Sequence, residues 1–425
     1  MVYNNSIDFA RKLDAADSLA KYRNRFFIPR KNQHEVIYFS GNSLGLQSRD
    51  TFSYFEQELY DWAAMGVEGH FQAKNPWVSY HTLFAEPLAR LTGAKPTEVV
   101  AMNSLSVNLH LLLVSFYRPT KKRFKILVEH NPFPSDWYAI QSQIRFHGFD
   151  PGDSIIEMQP RNGEKTLRTE DILHTIDRNK DSLALVLMGG VNYFTGQVFD
   201  MKAITEAASK AGALVGFDLA HAIGNIKLEL HYWGVDFACW CSYKYLNSGP
   251  GSVGGIFIHE KHLSEKDLPR FNGWWGAEQP KKFLMNKEFS AATTAEAWQL
   301  SNAPIFSMTA HLAALGIFEE AGFDALLEKS KLLTGYLEFI INEINKQFNE
   351  KTCEIITPLE PDQRGCQISM VVQIKGKELH EQLMRAGVVS DWREPDVIRL
   401  APVPLYNSFE DVFRFGEIMT GLLKK

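Results

Sequence analysis

From about residue 49 to about residue 260 the chain alternates short apolar runs with helical periodicity, and that alternation constrains the fold more than anything else in it. Phe52, Phe55, Leu59 and Trp62 recur at helical spacing and predict a helix over 51–64. Strands are predicted at 99–102, 124–128, 154–157, 183–188, 214–218, 235–240 and 255–258, with helices at about 107–116, 136–146, 169–178 and 201–211 among them. Strands that alternate with helices form a mostly parallel sheet covered on both faces. A ligand site is then expected beyond the carboxyl ends of the strands.

Two strand ends carry chemistry. Ala213-Leu214-Val215-Gly216-Phe217-Asp218 is an apolar run closed by a carboxylate. Just past another run, Trp240-Cys241-Ser242-Tyr243-Lys244-Tyr245-Leu246-Asn247 sets an amine among aromatics and a hydroxyl. Poor solvation activates a lysine as a nucleophile. A lysine near a strand-end carboxylate is the pair that pyridoxal 5'-phosphate (PLP) requires, the amine to carry the cofactor and the carboxylate to keep its pyridine nitrogen protonated. Taken alone, the same two residues also suit a core salt bridge, or a lysine snorkelling to the surface.

Three further segments fit such a site. Met102-Asn103-Ser104-Leu105-Ser106 turns a strand end into a helix start, where free N–H groups suit a phosphate; ordinary capping by Ser104 or Ser106 is the alternative. In Asn131-Pro132-Phe133-Pro134-Ser135-Asp136, Phe133 can stack on a pyridine ring while Ser135 and Asp136 bond its substituents; a proline-set loop with a helix cap is the plainer reading. Ile398-Arg399-Leu400 puts an arginine inside an apolar strand, as a buried structural pair or as a bidentate clamp for a substrate carboxylate; in a PLP amino-acid enzyme the clamp is favoured. By contrast, Gly249-Pro250-Gly251-Ser252-Val253-Gly254 matches a dinucleotide fingerprint in letters only, because it leads into a strand instead of opening a helix. His259 and His262 lack further candidate ligands nearby in the sequence, so a solvated turn is expected there and no metal site.

Beyond about residue 310 the pattern changes to a long helix over about 326–348, strands at 353–356, 367–374 and near 397–400, a helix near 377–386 and a final helix opened by Ser408 and Asp411 at capping-box spacing. The fold class expected is therefore α/β, with a mostly parallel central sheet in a large domain and a smaller C-terminal α+β domain. The division is 1–48 as an N-terminal segment, 49–308 as the large domain and 309–425 as the small one. A net charge of −5 from 45 basic and 50 acidic residues marks no nucleic-acid surface. No apolar stretch approaches the ~18 residues of a membrane span. Four cysteines without a CxxC pair (Cys239, Cys241, Cys353, Cys366), and no leader pattern at the start, fit a reducing cytoplasm.

Phe217-Asp218-Leu219-Ala220-His221-Ala222, the run from Trp233 to Asn247, and Ala401-Pro402-Val403-Pro404-Leu405-Tyr406-Asn407-Ser408 resemble kynureninase. So do Gly41-Asn42-Ser43-Leu44-Gly45-Leu46-Gln47 and Phe133-Pro134-Ser135-Asp136, and the likeness runs from about residue 36 to 420. The resemblance implies a fold-type I PLP enzyme, a homodimer with its sites at the subunit interface. It implies hydrolysis of L-kynurenine or 3-hydroxy-L-kynurenine to anthranilate or 3-hydroxyanthranilate plus L-alanine, within tryptophan catabolism or NAD biosynthesis. By position, Lys244 resembles the cofactor-bearing lysine and Asp218 the pyridinium partner. His221 and Phe133 would lie against the ring, with Pro134, Ser135 and Asp136 beside it, and Leu105, Ser106 and Tyr243 would hold the phosphate end. Tyr243 is also placed to relay protons. Trp274 and Asn302 match interface positions that complete the pocket, Arg399 matches the carboxylate-binding arginine, and His70 with Asn302 matches the aromatic-ring pocket of members that favour the 3-hydroxy substrate. Ser106 stands where many relatives have threonine, and Gly189 where some offer a hydroxyl, so that contact is expected to be missing. Two rivals are a cysteine desulfurase, for which Cys366 is the only nucleophile by position, and a silent PLP-like scaffold, which has no need of Lys244, Asp218 and Arg399 together.

Overall fold

The computed structural model describes residues 2–424 apart from 266, 285, 349–351 and 373–374, and only the backbone at 280. Its centre is a seven-stranded sheet. In chain order the strands are β1 (Val99–Ala101), β2 (Lys125–Val128), β3 (Ile155–Glu157), β4 (Leu183–Gly189), β5 (Leu214–Asp218), β6 (Phe237–Trp240) and β7 (Gly255–Ile258). They lie in the order β1-β7-β6-β5-β4-β2-β3. β7 is antiparallel to both of its neighbours, and the other pairings in the sheet are parallel. Side chains alternate across the pleat, so Val186, Met188, Val215 and Phe217 enter one core while Leu185 and Leu187 enter another on the opposite face. The near-continuous apolar runs follow from that two-sided burial. Gly216 pairs with Phe237, and a Cβ on it would stand 2.1 Å from the Phe237 ring, so the close approach of β5 and β6 needs glycine.

The covering helices follow their amphipathic faces. Thr169–Arg178 opens on Glu170 and Asp171, ends on Arg178, and buries Ile172 and Ile176 one turn apart. Helix starts at 105 and 134 come two residues before the expected 107 and 136, because uncapped turns and Pro134 extend them.

A second sheet holds β8 (Cys353–Ile355), β9 (Ile368–Val372), β10 (Asp391–Arg393) and β11 (Val397–Leu400), antiparallel in the order β8-β9-β11-β10. The end of the strand expected over 367–374 lies outside the described residues. Ile368 and Met370 share a core with Leu337 and Ile341 of the helix Phe323–Gln347 and with Val412 and Phe415 of the helix Phe409–Leu423. Ala10, Ile37 and Phe39 enter the same core, so the N-terminal segment packs with the end of the chain. Asp14 accepts the N–H groups of Phe409 and Glu410 at 2.7 and 2.9 Å, supplementing the capping box of Ser408 and Asp411. Position 308, where the large domain was expected to end, falls inside the helix Ile305–Ala321.

Candidate active site

The carboxyl ends of the parallel strands converge on Lys244. Its Nζ lies 2.9 Å from Nε2 of His221 and 5.7 Å from the centre of the Phe133 ring. His221 follows β5, Phe133 follows β2, and Lys244 follows β6, so three crossovers bring these side chains together. Burial, and then the nearby Lys244 charge, hold His221 well below the usual imidazole range. The ring is therefore neutral, and its Nδ1 is buried without a partner.

Three carboxyl groups share one buried floor. Burial raises Asp218, while its hydrogen bond with Asp136, the Lys244 charge and the Ala220 N–H oppose the rise; that N–H reaches Oδ1 at 2.7 Å. Asp136, in the first turn of the helix Pro134–Phe146, is raised well above the carboxylate range by burial and by Asp218. Ser135 donates to its Oδ1 at 3.1 Å. Of the two, Asp136 is held further above the carboxylate range, because Asp218 has the backbone donor and the lysine charge to oppose its rise. Glu129, which no sequence argument singled out, is pushed up to about 7 by burial and accepts the Gly189 N–H on both oxygens at 3.0 and 3.1 Å. A Cβ at residue 189 would lie 3.0 Å from Glu129 Oε1, so this carboxyl fills the space beside the glycine. The signal was present in the sequence: Glu129 closes Ile-Leu-Val as Asp218 closes Val-Gly-Phe.

The helix Leu105–Phe116 opens without a side-chain cap, so capping by Ser104 or Ser106 is not made, and Ser104 and Ser106 stay exposed. Its first N–H groups are left for an anion. Gly254 allows the approach here, since a Cβ on it would come 2.6 Å from the Trp240 carbonyl and 3.4 Å from the Leu105 nitrogen. The glycine-rich run leads into β7 and opens no helix. Tyr243, raised by burial, stays a phenol.

Arg399 is 1 % exposed; its Nη1 donates to the Tyr193 carbonyl at 2.7 Å and its Nη2 to Asp391 at 2.6 Å, while Nε has no partner. It is thus a structural pair whose Nε alone has no partner, and its charge reaches His221. Tyr193 also meets Phe133 edge-on at 5.1 Å. Tyr193 and Asp391 escaped the sequence reading because neither lies in a patterned motif.

His70, Trp274 and Asn302 are not brought to the lysine. Among the described residues none of them bonds, pairs or makes a ring contact with Lys244, Asp218 or His221. His70 packs edge-on against Trp77 at 5.4 Å and near Phe71 at 6.5 Å; Phe71 meets Phe283, which meets Trp274 at 5.6 Å. Trp274 is half exposed and Asn302 exposed. Cys366 is buried, with its thiol pushed up to about 12, and lies against Tyr245.

Known proteins place this architecture. A family model described as the kynureninase C-terminal domain matches residues 326–419. The chain is 55% identical over 419 residues to a curated kynureninase of Flavobacterium psychrophilum, covering 99% of this chain and 98% of that one. It is 48% identical over 438 residues to the kynureninase of Nematostella vectensis, covering 99% and 94%. Among solved structures it resembles an apo cysteine desulfurase from Thermococcus onnurineus, with a TM-score of 0.76 at 17% identity over 95% of this chain and 98% of that one. It also resembles a C-DES mutant with glycine linked to its PLP cofactor, again at 0.76, with 15% identity over 90% and 96%. At such identities the likeness is one of fold.

Proposed function

The chain belongs to the kynureninase family, and from that premise we propose that it is a PLP-dependent hydrolase that cleaves the Cβ–Cγ bond of L-kynurenine or 3-hydroxy-L-kynurenine. The products are anthranilate or 3-hydroxyanthranilate and L-alanine. The observation that carries the reading is Lys244 Nζ set 2.9 Å from a neutral histidine, over a buried carboxyl pair. The residues fit the cofactor. A pyridinium nitrogen supplies the positive charge that Asp218 and Asp136 lack, the uncapped start of Leu105–Phe116 with Ser106 suits its phosphate, and the buried Nδ1 of His221 has no partner of its own. Phe133 offers its ring 5.7 Å from Nζ, and Pro134, Ser135 and Tyr243 are proposed to line the same place.

When bound, PLP supplies an electron-accepting ring for the charge left on the substrate carbons. The chain supplies the rest. Lys244, freed as substrate binds, takes the α-proton as general base. Neutral His221 accepts a hydrogen bond from Nζ and adds no charge against it. Tyr243, kept protonated by burial, acts as the acid at the carbon that becomes the alanine methyl group. Water adds to the γ-carbonyl, whose carbon leaves as the carboxyl of the anthranilate. Arg399 offers its guanidinium, whose Nε has no partner, to the substrate carboxylate. Steady-state assay of both kynurenines, with release of alanine, tests the proposal. Sulfide release from cysteine instead would favour the desulfurase reading, against which buried Cys366 stands.

Arg399→Lys keeps the charge but loses the fork. We expect kcat/KM to fall roughly ten- to a thousand-fold, about 1.4 to 4 kcal/mol, with PLP affinity little changed. Full activity with loss of cofactor would make Arg399 a structural or phosphate residue instead.

The working unit proposed is a homodimer in which the partner completes each pocket. What supports it is the exposed apolar surface of Leu59, Tyr60, Trp62, Phe71, Phe283 and Leu284, together with the position of His70, Trp274 and Asn302 away from the lysine of their own chain. Imidazole and amide can both bond a ring hydroxyl, and a pocket built to do so is penalised when the hydroxyl is missing. The 3-hydroxy substrate should therefore be used at least as well as kynurenine, and His70→Trp with Asn302→Thr should shift preference toward kynurenine. A wild-type kcat/KM clearly higher for kynurenine would overturn that assignment and leave the reaction class standing. Among the described residues no helix is long and apolar enough to cross a membrane. A cytoplasmic place in tryptophan catabolism or NAD biosynthesis fits the four free cysteines.

A further inference from the structure

At the edge of the sheet opposite Lys244, three separate segments bring a carboxylate and two imidazoles together. Glu98 immediately precedes β1, and His231 sits in the short turn of helix Leu230–Trp233 before β6. β7 runs against its neighbours, so its exit carries His259 to the edge where the parallel strands begin. A donor atom of each of the three lies within 4.8 Å of the other two. The local sequence gave His259 no such neighbours; Glu98 is 161 positions away. We propose that Glu98, His231 and His259 form a binding site for a divalent ion of the zinc class.

The donors are prepared for it. Glu98 is fully buried, and His231 Nδ1 lies 3.0 and 3.1 Å from its two oxygens. His259 Nδ1 lies 3.9 Å from Glu98 Oε1. His259 Nε2 lies 3.2 Å from the His231 carbonyl, which only accepts, so Nε2 carries the proton and Nδ1 keeps its lone pair. A ligating histidine commonly has its far N–H tied in this way. The two rings stack 5.0 Å apart and 14° from parallel. Backbone N–H groups of Glu260 and Lys95 brace the carboxylate at 2.7 and 2.9 Å.

The nearby cations are occupied elsewhere. Lys95 Nζ pairs with Glu260 at 2.6 Å, and Lys261 Nζ with Asp236 at 2.7 Å. Two competitors must yield: the Lys261 N–H that reaches His259 Nδ1 at 3.2 Å, and the proton His231 Nδ1 directs at Glu98, which moves to Nε2 as the ion takes its place. Two nitrogens and one carboxylate oxygen, with water as the fourth ligand, suit zinc and its transition-metal neighbours; calcium and magnesium favour all-oxygen sites. Ligand atoms around tetrahedral zinc stand about 3.3 Å apart, so side-chain rotation closes the set. A bound ion would tie the entry of β1, the approach to β6 and the exit of β7 to one point.

The test uses the full-length PLP-loaded enzyme after treatment with a chelator. Cobalt(II) is titrated and followed by its visible absorption, and zinc by the shift in Tm, in wild type and in the double variant His231→Gln with His259→Gln. We expect one cobalt per chain in wild type with intense tetrahedral-type absorption, affinity weaker by roughly a hundredfold or more in the double variant, and turnover alike in both when metal is absent. Absence of saturable binding in wild type, or equal binding by the double variant, would overturn the site. Glu98→Gln serves as a third variant, and the histidine pair decides the question if that one does not fold.

Discussion

Replacing Lys244 with alanine should lower kcat/KM for kynurenine by roughly ten-thousand-fold, because the variant loses both the nucleophile that carries the cofactor and the base at the α-carbon. PLP should still bind, without a covalent link, through the helix start at Leu105 and the buried carboxyl pair. Borohydride separates the two cases. Treated wild type should retain a pyridoxyl label on the peptide that contains Lys244, and treated variant should release all of it. Turnover by wild type rigorously freed of PLP would sink the proposed chemistry, whatever the variant does.

The second large effect is expected at Asp218. Asp218→Asn keeps the size of the side chain and can still accept the Ala220 N–H, yet it cannot balance a positive charge on the ring nitrogen. Turnover should drop by roughly a hundred- to a thousand-fold, with a change in the visible spectrum of the bound cofactor. Asp136→Asn should cost markedly less, because burial and Asp218 hold Asp136 higher than its partner, and Lys244 and the Ala220 N–H favour the charge on Asp218. Equal losses for the two variants would show that the charge is shared between them and would refute the assignment of roles. Unchanged circular dichroism in both would exclude unfolding as the cause.

The fold was legible wherever burial imposes a period. Strands 214–218 and 255–258 and the helix 169–178 match to the residue, since β7 is apolar throughout, β5 is apolar up to its closing Asp218, and the helix carries its charges at the proper ends. Boundaries slipped where capping decides them, as at Leu105 and Pro134. The helix Ile305–Ala321 was missed because it is apolar on nearly every side and offers no amphipathic contrast. In the site, Lys244, Asp218, His221 and Phe133 could be read because each closes or follows a strand. Glu129 has the same signature but no motif drew notice to it. The partners of Arg399 come from a loop and an edge strand, Tyr193 and Asp391, and the loop reaches Arg399 only through tertiary packing, which no local pattern encodes.

Dividing the pocket between two chains has a consequence in genetics. In the proposed dimer, Lys244 belongs to one chain, while His70, Trp274 and Asn302 of the other face the same substrate. A chain with Lys244→Ala and a chain crippled at Trp274 are each inactive alone. Mixed and allowed to exchange subunits, they form heterodimers in which one site inherits both defects and the other inherits neither. Random assortment of equal amounts would then return about one quarter of the wild-type activity per chain. Two null alleles of one gene would complement each other, and a dominant-negative effect of either would be capped by the same arithmetic.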